Sequence, residues 1–517
     1  MKNARLRVLT GFASPCLVVM IGVALAKAQP GDAQAKCHNA AKPDIAACTE
    51  IIGSESDTEK RAFALLYRGV GYLMAGELDR ALEDCDAVIA LGSRLAYAAI
   101  TNRGTVYQRQ GKEDLALADW TEAIRLEPRY ALPYANRAAV YASRGQYDLA
   151  LADLDKAISL DAKSALAFSN RGWLLGRLGR YDKALADLDE AIRLAPKFAK
   201  AYNNRGFIYS RLGQTDKALA DLDESIRLDP NDFQSYANRG IVFAAMHQPD
   251  KAMADYGQSL RLKPTNAEVL ANRALLFIDR RELDKALADA DAALAIDAKY
   301  APGYRSRGLA RLGSGKLDEA LADFEAALGF DRTLASAYTG RGRVRLEQGK
   351  PELALADFDE ALRLDPKSAD GLLNRGVAHE RLGHLDKALA DYSEAVRLAP
   401  HAAVTHYNLG NVLRSMKEFD RAIASYSEAI RLKPDFAVAY TDRGVVHLLA
   451  GRLDEAIADY TESLRINPRH ATTYFNRAGA YRRKGMIQEA IADYRKALEL
   501  DPALTAASDK LRELGAL

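Results

Sequence analysis

The side chains of this 517-residue chain that could carry chemistry are eight histidines, four cysteines and a pair of opposite charges that keeps returning. A metal site would need histidines, cysteines or carboxylates converging from neighbouring turns, as in an HExxH helix or paired CxxC motifs. Six histidines fall late, at His379, His384, His401, His406, His447 and His470, and the chain has no HExxH and no close Cys/His cluster. His379 and His447 hold corresponding positions 68 residues apart, and helix layers stacked roughly 8–10 Å apart would keep them from sharing one ion. A nucleophile elbow or phosphate loop needs a strand before its glycines, whereas Gly313 and Gly315 stand between two helical patterns. The expectation is therefore no metal, no cofactor, no catalytic residue and no enzyme activity.

The four cysteines are Cys16, Cys37, Cys48 and Cys85. Cys16 lies in an apolar stretch, Val8 to Ala26, that follows Lys2, Arg5 and Arg7 and ends in Ala26-Lys27-Ala28 before Gln29. Basic, apolar, then small-x-small is the order of a secretory signal, so residues 1–28 are predicted to be removed on export. An uncleaved signal that anchors the chain in a membrane is the alternative, although Gly11, Pro15 and Gly22 interrupt the stretch. No later segment is apolar enough to span a bilayer. In a two-membrane bacterium the exported chain would be periplasmic. There Cys37 and Cys48 are a candidate disulfide. Cys85 takes the position that Trp120 takes one repeat later and reads as a buried structural thiol.

Lys and Arg total 72 against 70 Asp and Glu, without a basic run. That balance argues against nucleic acid as a partner. Apolar content of 49% describes a folded chain.

The elements that must position these side chains are set by a period. The tripeptide Asn-Arg-Gly or a close relative ends at Gly104, Ala138, Gly172, Gly206, Gly240, Ala274, Gly308, Gly342, Gly376, Gly410, Gly444 and Ala478, in steps of 34 residues, and an earlier copy ends at Gly69. Within one copy Tyr134, Ala138 and Tyr141 are followed by Tyr147, Ala150, Leu151, Leu154, Ala157 and Ile158, the three-and-four spacing of two amphipathic helices. Glycines such as Gly111, Gly145, Gly179 and Gly213 separate the helices, and prolines such as Pro128, Pro196, Pro230 and Pro264 follow the second. An alanine meets each small residue from the second helix, from Ala81 and Ala116 to Ala456 and Ala490. Two such helices cannot bury their apolar faces alone, so the copies must stack.

A 34-residue helix-turn-helix copy with small, aromatic, alanine and proline residues at these offsets resembles the tetratricopeptide repeat. The resemblance covers nearly all of the chain after the leader. It implies an all-α, right-handed superhelical solenoid of about thirteen repeats whose first helices line a concave groove for peptides or partner proteins. The domains expected are a signal over 1–28, a degenerate half-repeat cap over 29–61 with Cys37 and Cys48, the array over 62–505 and a capping helix over 506–517. Where the family usually places leucine before the small residue, this chain has arginine, as at Arg68, Arg205 and Arg477, with aspartate sixteen residues later, as at Asp84, Asp221 and Asp493. One copy has Leu409 and Ser425 and so lacks both. Joint loss predicts a structural contact between the two helices of a repeat.

Carrying over the family's inward positions gives Gln108, Arg109, Trp173, Arg177, Asn203, Phe207, Arg211, Arg343, Glu380, Arg381, Tyr407, Asn411, Arg414, Arg482 and Arg483. Of these, Trp173, Arg177, Asn203, Phe207, Arg211, Tyr407, Asn411 and Arg414 are the candidate binding residues. Trp173 and Phe207 share an offset in adjacent repeats and could anchor a peptide with an acidic neighbour, or could pack on the next helix. The function expected is a non-catalytic envelope scaffold or adaptor with protein or peptide partners. The alternative is a substrate-binding arm that works with a separate glycosyltransferase-type enzyme.

Overall fold

The computed structural model describes residues 36–37 and 43–517, so the leader and its cleavage site lie outside the described residues. The described chain is helical, with no strand among the described residues. After a short helix at Ile45–Ser54 come thirteen helix pairs, from Thr58–Ala75 with Leu78–Ala90 to Ala471–Arg483 with Ile487–Leu500, and a last helix at Thr505–Glu513. Contacts divide them into two compact units, one ending at Val269 and the other running from Leu270 to Leu517.

Each pair forms for the same local reasons. The first helix ends where a residue turns the backbone left-handed, usually a glycine, with φ of 76° at Gly111, 74° at Gly145 and 72° at Gly213, and in three repeats His247, Arg281 or Lys417. The helices then close on each other through the small residue and the alanine, and Ala81 through Ala490 are all fully buried at that position. At Gly342 the approach is so tight that a Cβ would sit 2.5 Å from Phe358 Cε1. The aromatic that faces the small residue fills the joint to the following pair.

In the unit up to Val269, Trp120 is fully buried with Ala116 and Val140, and its indole N–H donates to Thr101 O at 3.1 Å. In the unit from Leu270, Tyr426 is fully buried with Leu413, Ala422 and Val446. Burying one such side chain contributes about 1.5–3 kcal/mol, and each unit repeats the arrangement along its length.

Further contacts are made by the first and last described helices. Cys37 and Cys48 form a disulfide, both fully buried against Ala47, Phe63 and Tyr67. Cys85 is a free, buried thiol whose pKa is pushed well up, first by burial. At the other end Ala507 and Leu511 pack on Ala490, Tyr494 and Ala497.

Candidate functional site

The recurring Arg/Asp pair is a contact between the two helices of a repeat, made in all twelve copies that carry it. Arg205 Nε and Nη2 donate to the two oxygens of Asp221 at 2.7 and 2.8 Å. Its Nη1 turns away and donates to Asp189, on the second helix of the preceding repeat, at 2.7 Å. Arg103 uses Asp119 and Asp86 in the same way, Arg239 uses Asp255 and Asp223, and Arg375 uses Asp391 and Asp359. Hydroxyls replace the second carboxylate at Thr121, Ser427 and Thr461. These arginines tie three helices, whereas Arg273 and Arg341 bond the aspartate of their own repeat, Asp289 and Asp357; the hydrogen bond to Asp221 is the largest effect raising the Arg205 pKa. In two repeats a further arginine joins: Arg311 and Arg345 each donate to the ladder aspartate, Asp323 or Asp357, at 2.8 Å. This is scaffolding, with every carboxylate oxygen of Asp323 and Asp357 already engaged.

The opposite face of the first helices is where successive first helices meet. Asn204 Nδ2 donates to Ser169 Oγ at 3.2 Å and Asn238 Nδ2 to Asn203 Oδ1 at 2.9 Å, each bond crossing from one repeat to the next. Arg109, Arg381 and Arg483 donate to Leu73 O, Leu346 O and Leu448 O, carbonyls near the ends of the preceding first helices that also accept the backbone N–H of Gly76, Gly349 and Gly451, so three inward arginines bridge one repeat to the one before. Glu380 accepts from the Tyr392 hydroxyl at 2.9 Å, and Arg482 pairs with Glu513 at 3.3 Å.

In the unit up to Val269 the structure brings Trp173 and Arg177 together. The Arg177 guanidinium stands 5.2 Å from the Trp173 ring and 5.6 Å from the Tyr147 ring, and donates to the Tyr147 hydroxyl at 3.0 Å. Burial lowers its pKa. Trp173 packs its body beside Ala138, Ala142 and Leu174, and Phe207 beside Leu175, Leu188 and Ile208. Both rings are half-buried, so they serve the joints between repeats as well as the inner face.

In the unit from Leu270 the structure gathers Tyr407, Asn411 and Arg414 around a residue that the sequence reading passed over, Asp442. The Tyr407 hydroxyl donates to one Asp442 oxygen at 2.7 Å and Arg414 Nη1 to the other at 2.7 Å. The Tyr426 hydroxyl donates to Asn411 Oδ1 at 2.7 Å. Burial first, then the bond to Asp442, pushes the Tyr407 pKa up to about 12. This network lies in the repeat with Leu409 and Ser425, so the copy without the Arg/Asp pair has its polar cross-link on the other face. A signal existed in the sequence, because Asp442 occupies the column filled by asparagine at Asn102, Asn136, Asn170, Asn204, Asn238, Asn272, Asn374, Asn408 and Asn476.

Among the described residues no group of three or more His, Cys, Asp or Glu side chains could hold a metal ion, and no helix is long and apolar enough to cross a membrane. A shallow depression on the inner face is lined by Leu312, Leu346 and Val377 with Arg343, Glu347, Asn374 and Arg381 around them.

Stacked helix-turn-helix pairs with a repeating inner face define a helical-repeat protein. Profiles of the tetratricopeptide repeat match residues 199–232, 339–403, 403–436 and 435–503, and a TPR repeat profile matches 140–179 and 177–213. The chain belongs to the tetratricopeptide repeat family. No curated protein sequence matches it. Among solved structures it is similar to a chain of the APC/C hetero-tetramer Cut9–Hcn1, with a TM-score of 0.59 and 17% identity over 88% of this chain and 96% of that one. It is also similar to MamA, with 28% identity and a TM-score of 0.30 over 31% of this chain and 94% of that one.

Proposed function

We propose that the chain is a non-catalytic scaffold or adaptor of the bacterial cell envelope that holds extended segments of partner proteins along the inner faces of its first helices. The observation that carries this reading is the division of labour between the two faces. The Arg/Asp ladder fixes twelve of the thirteen first helices from behind, and the inner face repeats amide, aromatic and guanidinium groups at one offset after another. Trp173, Arg177, Asn203, Phe207 and Arg211 in one unit, and Tyr407, Asn411 and Arg414 in the other, are the residues proposed to meet the partner. Residues 1–28 are taken as a cleaved signal, 29–61 as the cap, 62–505 as the array and 506–517 as the closing helix. A buried disulfide at Cys37–Cys48 is in keeping with an oxidising compartment and so with the periplasm.

The test is photo-crosslinking in the intact cell, with the crosslinker placed at Phe207 or Tyr407 and, for comparison, at Arg193 on the outer face, where the side chain is 68% exposed. Crosslinks to defined partner segments are expected from the inner positions. Crosslinks from Arg193 alone, or turnover of a substrate by the purified chain, would refute the reading.

A further inference from the structure

Arginine at the ladder position makes two contacts, and Leu409 can make neither. Arg375 grips Asp391 in its own repeat and reaches Asp359 in the repeat before at 2.9 Å. In the repeat 403–432, Leu409 stands in place of the arginine, Ser425 in place of the near aspartate and Ser393 in place of the far one. All three members of the contact are therefore replaced at the joint where the helices Ala369–Arg381 and Leu385–Leu398 meet Ala403–Ser415 and Phe419–Leu432.

Every other joint inside the unit from Leu270 is crossed by a side-chain hydrogen bond. Arg307 reaches Asp291, Gln348 reaches Asp318 and Arg375 reaches Asp359. Further along, Tyr407 and Arg414 reach Asp442, Arg443 reaches Ser427, and Arg477 reaches Thr461. Among the described residues, no side-chain hydrogen bond, ion pair or ring contact runs from 369–398 to 403–432. His406 comes nearest, its Nε2 lying 3.0 Å from Pro400 O, but Pro400 belongs to the connection and not to a helix of the preceding pair.

Apolar packing holds this joint. Val412 is fully buried with Ala388 and Tyr392, and Leu389, Leu409 and Met416 pack beside them. Burial of this kind resists separation but has no preferred direction, whereas a guanidinium bonded to two carboxylates fixes distance and angle together. Helices joined by apolar contact alone can slide over one another, and such shear is an elementary way in which packed elements move.

We propose that this joint is a hinge of the array. The repeats from Ala403 to Leu500, cross-linked to one another, move as one block on the repeats that end at Leu398, and residues 399–402 absorb the change. Glu380 and Arg381 lie before the hinge and Tyr407, Asn411 and Arg414 after it, so its motion alters the spacing of these inner-face groups. The inference concerns the mechanics of the array and stands whatever the array binds.

The test measures distances between spin labels by pulsed dipolar spectroscopy in the full chain with its disulfide intact. The native free thiol, Cys85, is buried, so labels go on cysteines introduced at exposed second-helix sites. Three pairs share one spacing: Glu319 with Lys387, Leu353 with Arg421, and Arg421 with Glu489. Only the middle pair spans the joint at Leu409. Its distance distribution is expected to be at least about twofold broader than those of the other two. Installing the contact with L409R, S393D and S425D should narrow it to the width of its neighbours. Equal widths in the three pairs would overturn the proposal, and that comparison does not depend on the triple variant folding. A triple variant with unchanged helical content that kept the broad distribution would overturn it as well.

Discussion

Arg205 and Asp189 meet at 2.7 Å across the joint between two repeats while the same guanidinium grips Asp221 within its own repeat. The two contacts differ in setting. The Asp221 side chain is 9% exposed and that of Asp189 is 57% exposed, so water screens the second contact far more than the first. A double-mutant cycle should give a coupling of about 2 kcal/mol for Arg205 with Asp221 and about 0.5 kcal/mol for Arg205 with Asp189. Amide exchange of the helices Ala199–Arg211 and Thr215–Leu228 is the measurement, because a stacked array opens locally and a single melting temperature would average over it. Equal couplings would contradict this account of the ladder.

The tight approach at Gly342 gives a second expectation. A methyl group there would lie 2.5 Å from Phe358 Cε1 and 2.8 Å from Cζ, and the Phe358 ring, fully buried, has no room to withdraw. Gly342→Ala should destabilise its repeat by about 1–3 kcal/mol, read as faster exchange in Ala335–Glu347 and Pro351–Leu364. Restoration by the compensating change Phe358→Leu would confirm that the clash is the cause.

How far these contacts could be read in the sequence depended on whether both partners repeat. Arg205 with Asp221 was legible because the spacing of sixteen recurs and because Leu409 and Ser425 lose both members at once. Asp189 was not, since its column mixes Asp189 with Thr121, Gly257, Ser393 and Thr461, and the aspartate within the repeat already accounted for the arginine. Tyr407 and Arg414 were picked out by their inward offsets. Their partner Asp442 was missed because the bond crosses from one repeat to the next, where the distance depends on how first helices stack. The same limit applies to Arg109, Arg381 and Arg483, whose carbonyl partners belong to another repeat and carry no side-chain signal.

The turn between helices offers a stabilising change. Lys417 stands where most repeats have glycine and is held at a φ of 63°, a region that costs a residue with a Cβ about 1–2 kcal/mol. Lys417→Gly removes that strain but gives the unfolded chain more freedom. The balance should be a gain of about 0.5 kcal/mol, seen as slower exchange in Phe419–Leu432. A loss of stability would mean that the Lys417 side chain has a role that its backbone does not reveal.

Acid sensitivity should concentrate at His447. It occupies the offset at which Arg345 reaches Asp357, and its Nε2 lies 3.8 Å from Asp459 Oδ2 while its Nδ1 is buried without a partner. Burial is the largest influence on its pKa and lowers it from 6.5; Asp459 and Glu455 pull it up, and Arg443 and Arg452 push it down. Above pH 6.5 neither the folded nor the unfolded state carries the proton, and the full stability is present. Below 6.5 the unfolded chain takes up a proton that the folded chain resists, so stability falls until the pH passes the lowered folded value. His447→Phe, which installs the residue found at Phe243 and Phe277, should flatten this dependence in the helices Ala437–Leu449 and Leu453–Ile466. His379 has the same sign of shift for the same first cause and should act likewise in its own repeat. If acidification instead slowed exchange around His447, and His447→Phe abolished that effect, the protonated ring would be joining Asp459 as Arg345 joins Asp357, and burial would not be the governing influence.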